Sequence, residues 1–264
     1  MRLCRIIFAA LASWCACFAD VQSGKPGLPH KQPGIRSATS QYDQAEKDYW
    51  RGVEFEEGDA VEQDYEAAAR WYRQAADSGF APAQYNLAKL YQRGLGVEQN
   101  LEQAVLWYRK AAEQGDAEAQ NNLGVLYATG QGVAHDDSEA VRWYRLAAEQ
   151  DDPEGTTNLG TMYLQGRAVE RNFAQAFQLF RKAAEQGHAV AQNNLALMYA
   201  NGQSVPRDYA WAYAWLDLAT ERISGCAELR DRIGKEMTSD EMTRARDLSR
   251  QKRAEFAQKG KTSK

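Results

Sequence analysis

Pairs of large apolar residues recur along the chain at a constant spacing. The pairs are Trp71-Tyr72, Trp107-Tyr108, Trp143-Tyr144, Leu179-Phe180 and Trp215-Leu216, each 36 residues after the one before. Three further series keep this spacing: Leu87, Leu123, Leu159 and Leu195; Tyr91, Tyr127, Tyr163 and Tyr199; and Val61, Val97, Val133, Val169 and Val205. Agreement among four series predicts about five repeats of one structural unit.

Each unit carries the apolar spacing of two helices. Between Leu101 and Gln114 the apolar positions recur at intervals of three and four residues, which indicates one buried face of a helix: Ala104, Trp107, Tyr108, Ala111 and Ala112. The segment Ala117 to Thr129 has the same spacing at Leu123, Leu126 and Tyr127. We therefore expect a first and a second helix in every unit.

The helix ends are marked by their own residue types. Asn100 with Gln103, Asp136 with Glu139, and Asn172 with Gln175 have the residue types of a reciprocal capping box, and Asp64 and Asp208 stand at the same phase. The first helices stop at glycines, which adopt the left-handed backbone that ends a helix: Gly58, Gly94, Gly130, Gly166 and Gly202. Asp152-Pro153 predicts a cap followed by proline at the first helical position.

A single helix pair cannot cover its own aromatic residues, so neighbouring pairs must stack. Alanine pairs recur where helices should approach closely: Ala75-Ala76, Ala111-Ala112, Ala147-Ala148 and Ala183-Ala184. These patterns predict an all-α, α/α superhelical solenoid over residues 41–222, with Tyr42 to Glu57 as a degenerate first helix. Two capping helices should follow within 223–257, Cys226 to Met237 and Ser239 to Ala257, the second opening with a Thr238 and Glu241 box.

The N-terminus has the pattern of an export signal. Arg2 and Arg5 precede an apolar stretch from Ile6 to Ala19, and small residues stand at the −3 and −1 positions of a cleavage site after Ala19. The stretch is shorter than the roughly 20 residues of a spanning helix, although an uncleaved anchor remains an alternative. We expect a signal peptide over 1–19, a periplasmic or secreted protein, and a flexible linker rich in glycine and proline over 20–40.

Charge and cysteine content narrow the choice of function. Residues 41–243 hold 33 acidic and 19 basic side chains, and residues 244–264 hold two acidic and eight basic ones. An acidic body argues against nucleic acid as a partner. The basic tail, disordered over 258–264, could contact an acidic surface or a membrane. Three of the four cysteines lie in the signal peptide, which leaves Cys226 without an intramolecular partner and favours a small buried residue over a reactive thiol.

No catalytic, metal or cofactor motif emerges. His30, His135 and His188 lack partners at recognisable spacing, and the last two are expected to face solvent. The glycine pairs Gly94/Gly96 and Gly130/Gly132 follow helices rather than strands, so they read as helix stops and not as phosphate loops. The Asp136-Asp137 and Asp151-Asp152 pairs favour capping over cation binding. The sequence therefore predicts a protein without enzymatic activity.

Residues 119–150 carry a specific combination of motifs. They contain Asn-Leu-Gly-x-x-Tyr, then Gly-x-Gly-Val, then Trp-Tyr-x-x-Ala-Ala, at fixed spacing, and related motifs extend over residues 45–222. This pattern resembles the Sel1-like repeat, a relative of the tetratricopeptide repeat. The resemblance implies a curved superhelix that acts as an adaptor in envelope assembly, signalling or host interaction. One cysteine-rich branch of that family is associated with β-lactam binding or hydrolysis, and this chain departs from it in its cysteines.

A protein or peptide partner should bind where the repeats differ, because recurrent positions are used for stacking. The differing positions on the first helices predict a partner-binding, concave surface: Tyr85, Lys89, Gln92, Asn121, Val125, Thr157, Thr161, Leu164, Asn193 and Leu197. Asn86, Asn122, Asn158 and Asn194 recur on the same helices. They could bind a peptide backbone or bond neighbouring units.

The sequence thus favours an exported interaction scaffold. Two other functions stay open at this point. One is a cell-wall-related ligand-binding protein or hydrolase, and the other is a regulator whose basic tail docks on a sensor or a membrane.

Overall fold

The computed structural model describes residues 33–58, 61–223 and 225–262, with side chains from Tyr42 to Lys259 within these ranges. The chain divides into two compact units, 1–39 and 40–264. Of the first unit, only the start of one helix is described. The predicted signal peptide and most of the predicted linker lie outside the described residues.

Twelve α-helices and no strand occur in the described part of the chain. They are α1 Pro33–Glu57, α2 Tyr65–Asp77, α3 Ala81–Arg93, α4 Leu101–Glu113, α5 Ala117–Thr129, α6 Asp137–Glu149, α7 Pro153–Gln165, α8 Phe173–Ala184, α9 Ala189–Asn201, α10 Tyr209–Ala219, α11 Cys226–Glu236 and α12 Ser239–Thr262. None of the described helices combines the length and apolarity that crossing a bilayer requires.

The helices pack in chain order. Each first helix (α3, α5, α7 and α9) packs most extensively on the second helix that follows it, and each second helix packs on the next first helix. α11 and α12 both pack on α10 and close the C-terminal end of the stack. The predicted all-α stack of helix pairs is therefore confirmed.

The recurrent residues form the core, as their spacing predicts. Tyr72, Tyr108, Phe180 and Leu216 are fully buried, and so are the leucine and alanine series, whose exposed fractions do not exceed 6%. Trp71 and Leu179 of the apolar pairs are only half-buried, and so are the recurrent tyrosine and valine series. Arg73 of α2 lies over the ring of Trp107, so the preceding second helix helps to cover that tryptophan. Among the described helices, none precedes Trp71 as a second helix.

Of the two hydrogen bonds in each predicted capping box, the second helices Leu101–Glu113 and Phe173–Ala184 form only one. The side chains of Asn100 and Asn172 accept hydrogen bonds from the third amide of their helices at 2.9 Å, as predicted. The prediction of a reciprocal bond to the Gln103 side chain is wrong. The Asn100 amide donates instead to the Tyr91 carbonyl at 3.0 Å and so closes the interhelical loop. A complete box forms at α12, where the Thr238 amide donates to Glu241 at 2.8 Å.

Two helices extend beyond their predicted bounds. α1 begins at Pro33, inside the segment 20–40 that was expected to be a linker, and α12 continues to Thr262 rather than to Ala257. Proline suits the first turn of a helix, and after Gly34 no proline and only one glycine, Gly52, occurs within α1. α12 has only Gly260 near its end, and one glycine costs a helix about 1 kcal/mol.

A hydrogen bond between a glutamine side chain and a helix carbonyl recurs along the stack but is absent from the fourth unit. The side-chain amides of Gln84, Gln120 and Gln192, at one register, donate to the carbonyls at the end of the preceding second helix at 3.0–3.3 Å. Thr156 occupies this register in α7. It is too short to reach the Ala148 carbonyl, which accepts instead from Lys182 at 2.9 Å. The fully buried Thr156 hydroxyl has no hydrogen-bond partner.

We therefore expect Thr156→Val to raise the free energy of unfolding by about 1 kcal/mol, because a desolvated hydroxyl without a partner is replaced by a methyl group of similar shape. Urea unfolding measures this change. Thr157→Val is the control, because Thr157 is equally buried but donates to the Pro153 carbonyl at 2.6 Å, so its loss should destabilise the fold. Equal destabilisation by both variants would contradict the interpretation of Thr156.

Candidate partner-binding surface

The first helices form a continuous row on one side of the stack. α5 contacts α7 and α7 contacts α9, in addition to their contacts with the second helices. The four helices α3, α5, α7 and α9 also place residues that are 36 positions apart at equivalent positions. We call the exposed side of this row the first-helix face. All ten residues predicted to bind a partner belong to these helices.

Eight of the ten predicted residues lie half-buried on these helices: Tyr85, Lys89, Gln92, Val125, Thr161, Leu164, Asn193 and Leu197. Lys89, Val125, Thr161 and Leu197 share one register, so each of the four helices contributes one side chain to a row. The row runs from a cation through two apolar residues and a hydroxyl. Half-burial leaves each of these side chains accessible from one side, and the prediction that they contact a partner stands as made.

Four of the ten predicted residues, Tyr85, Asn121, Thr157 and Asn193, share a second register, and the structure uses them to join neighbouring units. Asn121 is 3% exposed and donates to Glu154 of the next unit at 3.1 Å. Thr157 is 2% exposed and lies 2.8 Å from Nδ1 of His188. Both are therefore withdrawn from the candidate surface. The prediction that varying positions are free to bind a partner is wrong for Asn121 and Thr157. Each unit makes this contact with its neighbour through different side chains.

The two ends of this register remain half-buried. The Tyr85 hydroxyl lies beside Glu118 of the next unit, and the Tyr85 ring packs on Tyr108 with centroids 5.8 Å apart. The Asn193 carbonyl oxygen lies 3.5 Å from the Cys226 sulfur. Cys226 is 3% exposed and burial raises its thiol pKa, which confirms a buried small residue rather than a reactive thiol.

One of the recurring asparagines bonds a neighbouring unit. Asn158 donates to the Asn121 carbonyl oxygen at 2.8 Å. The hydroxyls of Tyr108 and Tyr72, near Asn122 and Asn86, donate instead to Gln92 and to Glu56. The stacking role is therefore observed for Asn158, and all four asparagines are half-buried.

Two of the predicted solvent-facing or capping groups are engaged in specific contacts. His135 is 56% exposed, as expected, and lies 3.1 Å from Asp137. Asp137 also forms an ion pair with Arg167, whose hydrogen bond to it keeps the pKa of this carboxyl below its ordinary value. Asp136 and Asp152 cap their helices, as predicted. Asp151 pairs with Lys182 at 2.6 Å.

His188 does not face solvent as predicted, since it is half-buried between α7 and α9. The Thr157 hydroxyl donates its only hydrogen to the Pro153 carbonyl at 2.6 Å, so Nδ1 of His188 must be the donor to the Thr157 oxygen. A ring nitrogen that already carries a proton cannot accept one from that hydroxyl. This pair therefore lacks the proton relay of a nucleophile activated by histidine.

The burial of His188 predicts a pH dependence of stability. Burial lowers its pKa below the ordinary value, and the charge of Glu154 opposes part of this shift. Because the unfolded chain binds the proton at the higher pH of about 6.5, stability is fully present above that value and is lost as the pH falls through the folded pKa. We expect a smaller loss on acidification for His188→Gln. Urea unfolding of both proteins at about pH 7.5 and about pH 5.5 measures it, and equal losses would contradict the assignment.

A concavity of about 320 Å³ opens on the first-helix face between α3, α5 and α7. Its walls are the side chains of Tyr85, Glu118, Asn122, Asp152, Pro153 and Glu154. Only Tyr85 is among the predicted surface residues, and Asn122 is among the recurring asparagines. The sequence predicts a helix cap at Asp152, and Glu118 and Glu154 belong to no motif in the sequence. The missed signal is a spacing of 33 residues, which joins Tyr85 to Glu118 and Asn121 to Glu154.

No group of three or more histidine, cysteine, aspartate or glutamate side chains suited to a metal ion occurs within the described ranges. The walls of the concavity combine aromatic, amide and carboxylate groups.

Comparison with known proteins agrees with this architecture. The Sel1 repeat family model matches residues 49–80, 81–116, 117–152, 153–188 and 189–222. A crystal structure of c5321, described as a protective antigen of uropathogenic Escherichia coli strains with an SLR fold, is 36% identical with a TM-score of 0.76. The match covers 88% of this chain and 52% of that one, so the chain spans about half the length of the E. coli protein.

A second solved structure, a Sel1 repeat protein from Oxalobacter formigenes, is also 36% identical, with a TM-score of 0.64. The match covers 70% of this chain and 76% of that protein. None of the curated proteins compared with the chain matches it. Five matched repeats and a shared fold at this identity place the chain in the Sel1 repeat family.

Proposed function

We propose that this protein is a non-enzymatic interaction scaffold that holds a protein partner on its first-helix face. The observation that carries the proposal is the row Lys89, Val125, Thr161 and Leu197, in which four helices present chemically different side chains at one register. A partner that contacts several of these helices binds a combination of side chains that no single unit contains. Solenoids of stacked repeats commonly bind partners along such extended surfaces.

Site-specific photo-cross-linking tests the surface. We expect a benzoylphenylalanine residue at Val125 to cross-link to a discrete partner in an extract of the producing cells. The control position is Leu106 on the second helix α4, which is apolar and 44% exposed on another side of the stack. Partner contacts at position 106 but none at position 125 would overturn the proposed face.

We further propose that the chain is exported to the periplasm or beyond the cell. The basic start, the apolar stretch to Ala19 and the cleavage-site residues support export. The description of the E. coli relative as a protective antigen is compatible with an exported protein. Mass spectrometry of the protein from fractionated cells should find an N-terminus at Asp20 outside the cytoplasm. An intact Met1 in the membrane fraction would indicate an anchor instead, and a cytoplasmic protein would contradict export.

A further inference from the structure

The concavity between α3, α5 and α7 carries negative charge that the chain does not neutralise. Glu118 and Glu154 are exposed and Asp152 is half-buried, and all three line it. Within the described residues, no lysine or arginine lies within 4.0 Å of these carboxylates. Other acids of the stack are paired, for example Asp137 with Arg167 and Asp217 with Arg253.

Helix capping explains only part of this arrangement. Asp152 caps α7 by accepting from the Gly155 amide at 2.6 Å, and acids are favoured near helix N-termini. Capping does not require the contact that orients Glu154, which is held by a residue of the preceding unit. Asn121 donates to Glu154 at 3.1 Å. Burial and the neighbouring Glu118 carboxylate raise the pKa of the Tyr85 hydroxyl, so Glu118 also lies beside a residue of the preceding unit. Both carboxylates line the concavity.

The carboxylates around the concavity repel one another in the free protein. Burial, together with the nearby carboxylates of Glu154 and Glu118, raises the pKa of Asp152 above its ordinary value. Burial and Glu118 raise the pKa of Asp116 in the same way. A bound cation would relieve this repulsion, because opposite charges within hydrogen-bond distance favour the ionised carboxylate.

The remaining walls suit the stem of a long side chain. Pro153 and the ring of Tyr85 supply apolar area, and the ammonium of Lys89 already lies 5.3 Å from the centre of the Tyr85 ring. The aromatic face therefore accepts a cation in this protein. A volume of about 320 Å³ equals that of roughly ten water molecules, which is enough for one extended lysine or arginine side chain.

We propose that this concavity binds a lysine or arginine side chain of the partner polypeptide, with its cation between Glu118 and Glu154 and its aliphatic stem against Tyr85 and Pro153. The Asn122 amide, on the same wall, is placed to bond the backbone beside that residue. This inference rests on the proposed scaffold function and names the chemistry that the partner must present: a basic segment that reaches the N-terminal ends of α5 and α7.

Peptide titration followed by NMR of the 15N-labelled full chain tests the subsite. The probe is an acetylated, amidated Ala-Ala-Lys-Ala-Ala peptide, and the matched control replaces the lysine with norleucine. We expect saturable shifts at the amides of Glu118, Asn122 and Glu154 with the lysine peptide only, and weaker binding as salt is added. Equal shifts with the norleucine peptide, or shifts confined to other surfaces, would overturn the proposal.

Two matched double variants separate specific binding from general attraction. Glu118→Gln with Glu154→Gln removes both charges and keeps an acceptor oxygen for Tyr85 and Asn121, so we expect the affinity to fall on the order of tenfold. Glu113→Gln with Glu149→Gln removes two exposed charges from the second helices and should leave the affinity unchanged. Equal losses in the two double variants would mean general attraction. If a partner cross-links at position 125 but the lysine peptide does not bind the concavity, the basic-residue subsite is contradicted and the proposed scaffold function is not.

Discussion

Replacing Trp107 with alanine should lower the free energy of unfolding by about 3–5 kcal/mol, the range measured for buried aromatic truncations. Trp107 is 3% exposed and belongs to a core that α1 to α6 share. Its loss leaves a cavity that neighbouring units cannot fill without moving, because every unit is held on both sides. Urea unfolding followed by circular dichroism measures the change.

The control for this prediction is Trp50→Ala. Trp50 has the same chemistry but is 56% exposed on α1, so its truncation should cost less than about 1 kcal/mol. Trp107→Phe adds a second comparison, because the buried indole N–H of Trp107 has no hydrogen-bond partner. The phenylalanine variant should therefore lose only packing area. A loss below about 1 kcal/mol for Trp107→Ala would show that the series does not form the core.

Gly132→Ala should destabilise the protein by about 3 kcal/mol or more, for two additive reasons. Gly132 has a φ of +70°, and a left-handed backbone costs a residue with a Cβ about 1–2 kcal/mol. Its Cβ would also lie 2.4 Å from the carbonyl carbon and oxygen of Leu101, at the start of α4. Backbone atoms cannot rotate away as a side chain can, so the loop must move off the preceding unit.

Gly115→Ala separates the two contributions. Gly115 has a φ of +96°, but a Cβ there would meet nothing within 4 Å, so only the conformational cost of about 1–2 kcal/mol should appear. The fourth unit shows that the loop can accept a Cβ, since Ala168 stands at the register of Gly132 with a φ of 53°. Equal losses for Gly132→Ala and Gly115→Ala would mean that the approach to Leu101 contributes nothing.

The two proposals on binding depend on different observations. The scaffold function depends on the row of varied side chains on the first-helix face, whereas the basic-residue subsite depends on the unpaired carboxylates of Glu118, Asp152 and Glu154. A partner could use the row alone. The cross-linking and peptide experiments therefore test separate claims, and success of the second would also direct a search toward partners with exposed basic segments.

The helices, their order and most of their ends could be predicted from the sequence alone. Apolar spacing, N-terminal caps and C-terminal glycines act within a few residues, so the local pattern carries the information. The constant period of 36 residues also predicted that the helix pairs stack, since each pair must be covered by its neighbours. The burial of the alanine and leucine series follows from that requirement.

Only the tertiary structure decided which varying residues remain available to a partner. Asn121 and Thr157 vary between units just as Val125 and Thr161 do, yet the first two are buried and the second two are not. Whether a side chain on a first helix meets the next unit depends on the rotation between units, which repeat spacing does not encode. That rotation places Glu118 beside Tyr85 and Glu154 beside Asn121, and it brings these two glutamates together with the predicted capping residue Asp152 in the walls of one concavity.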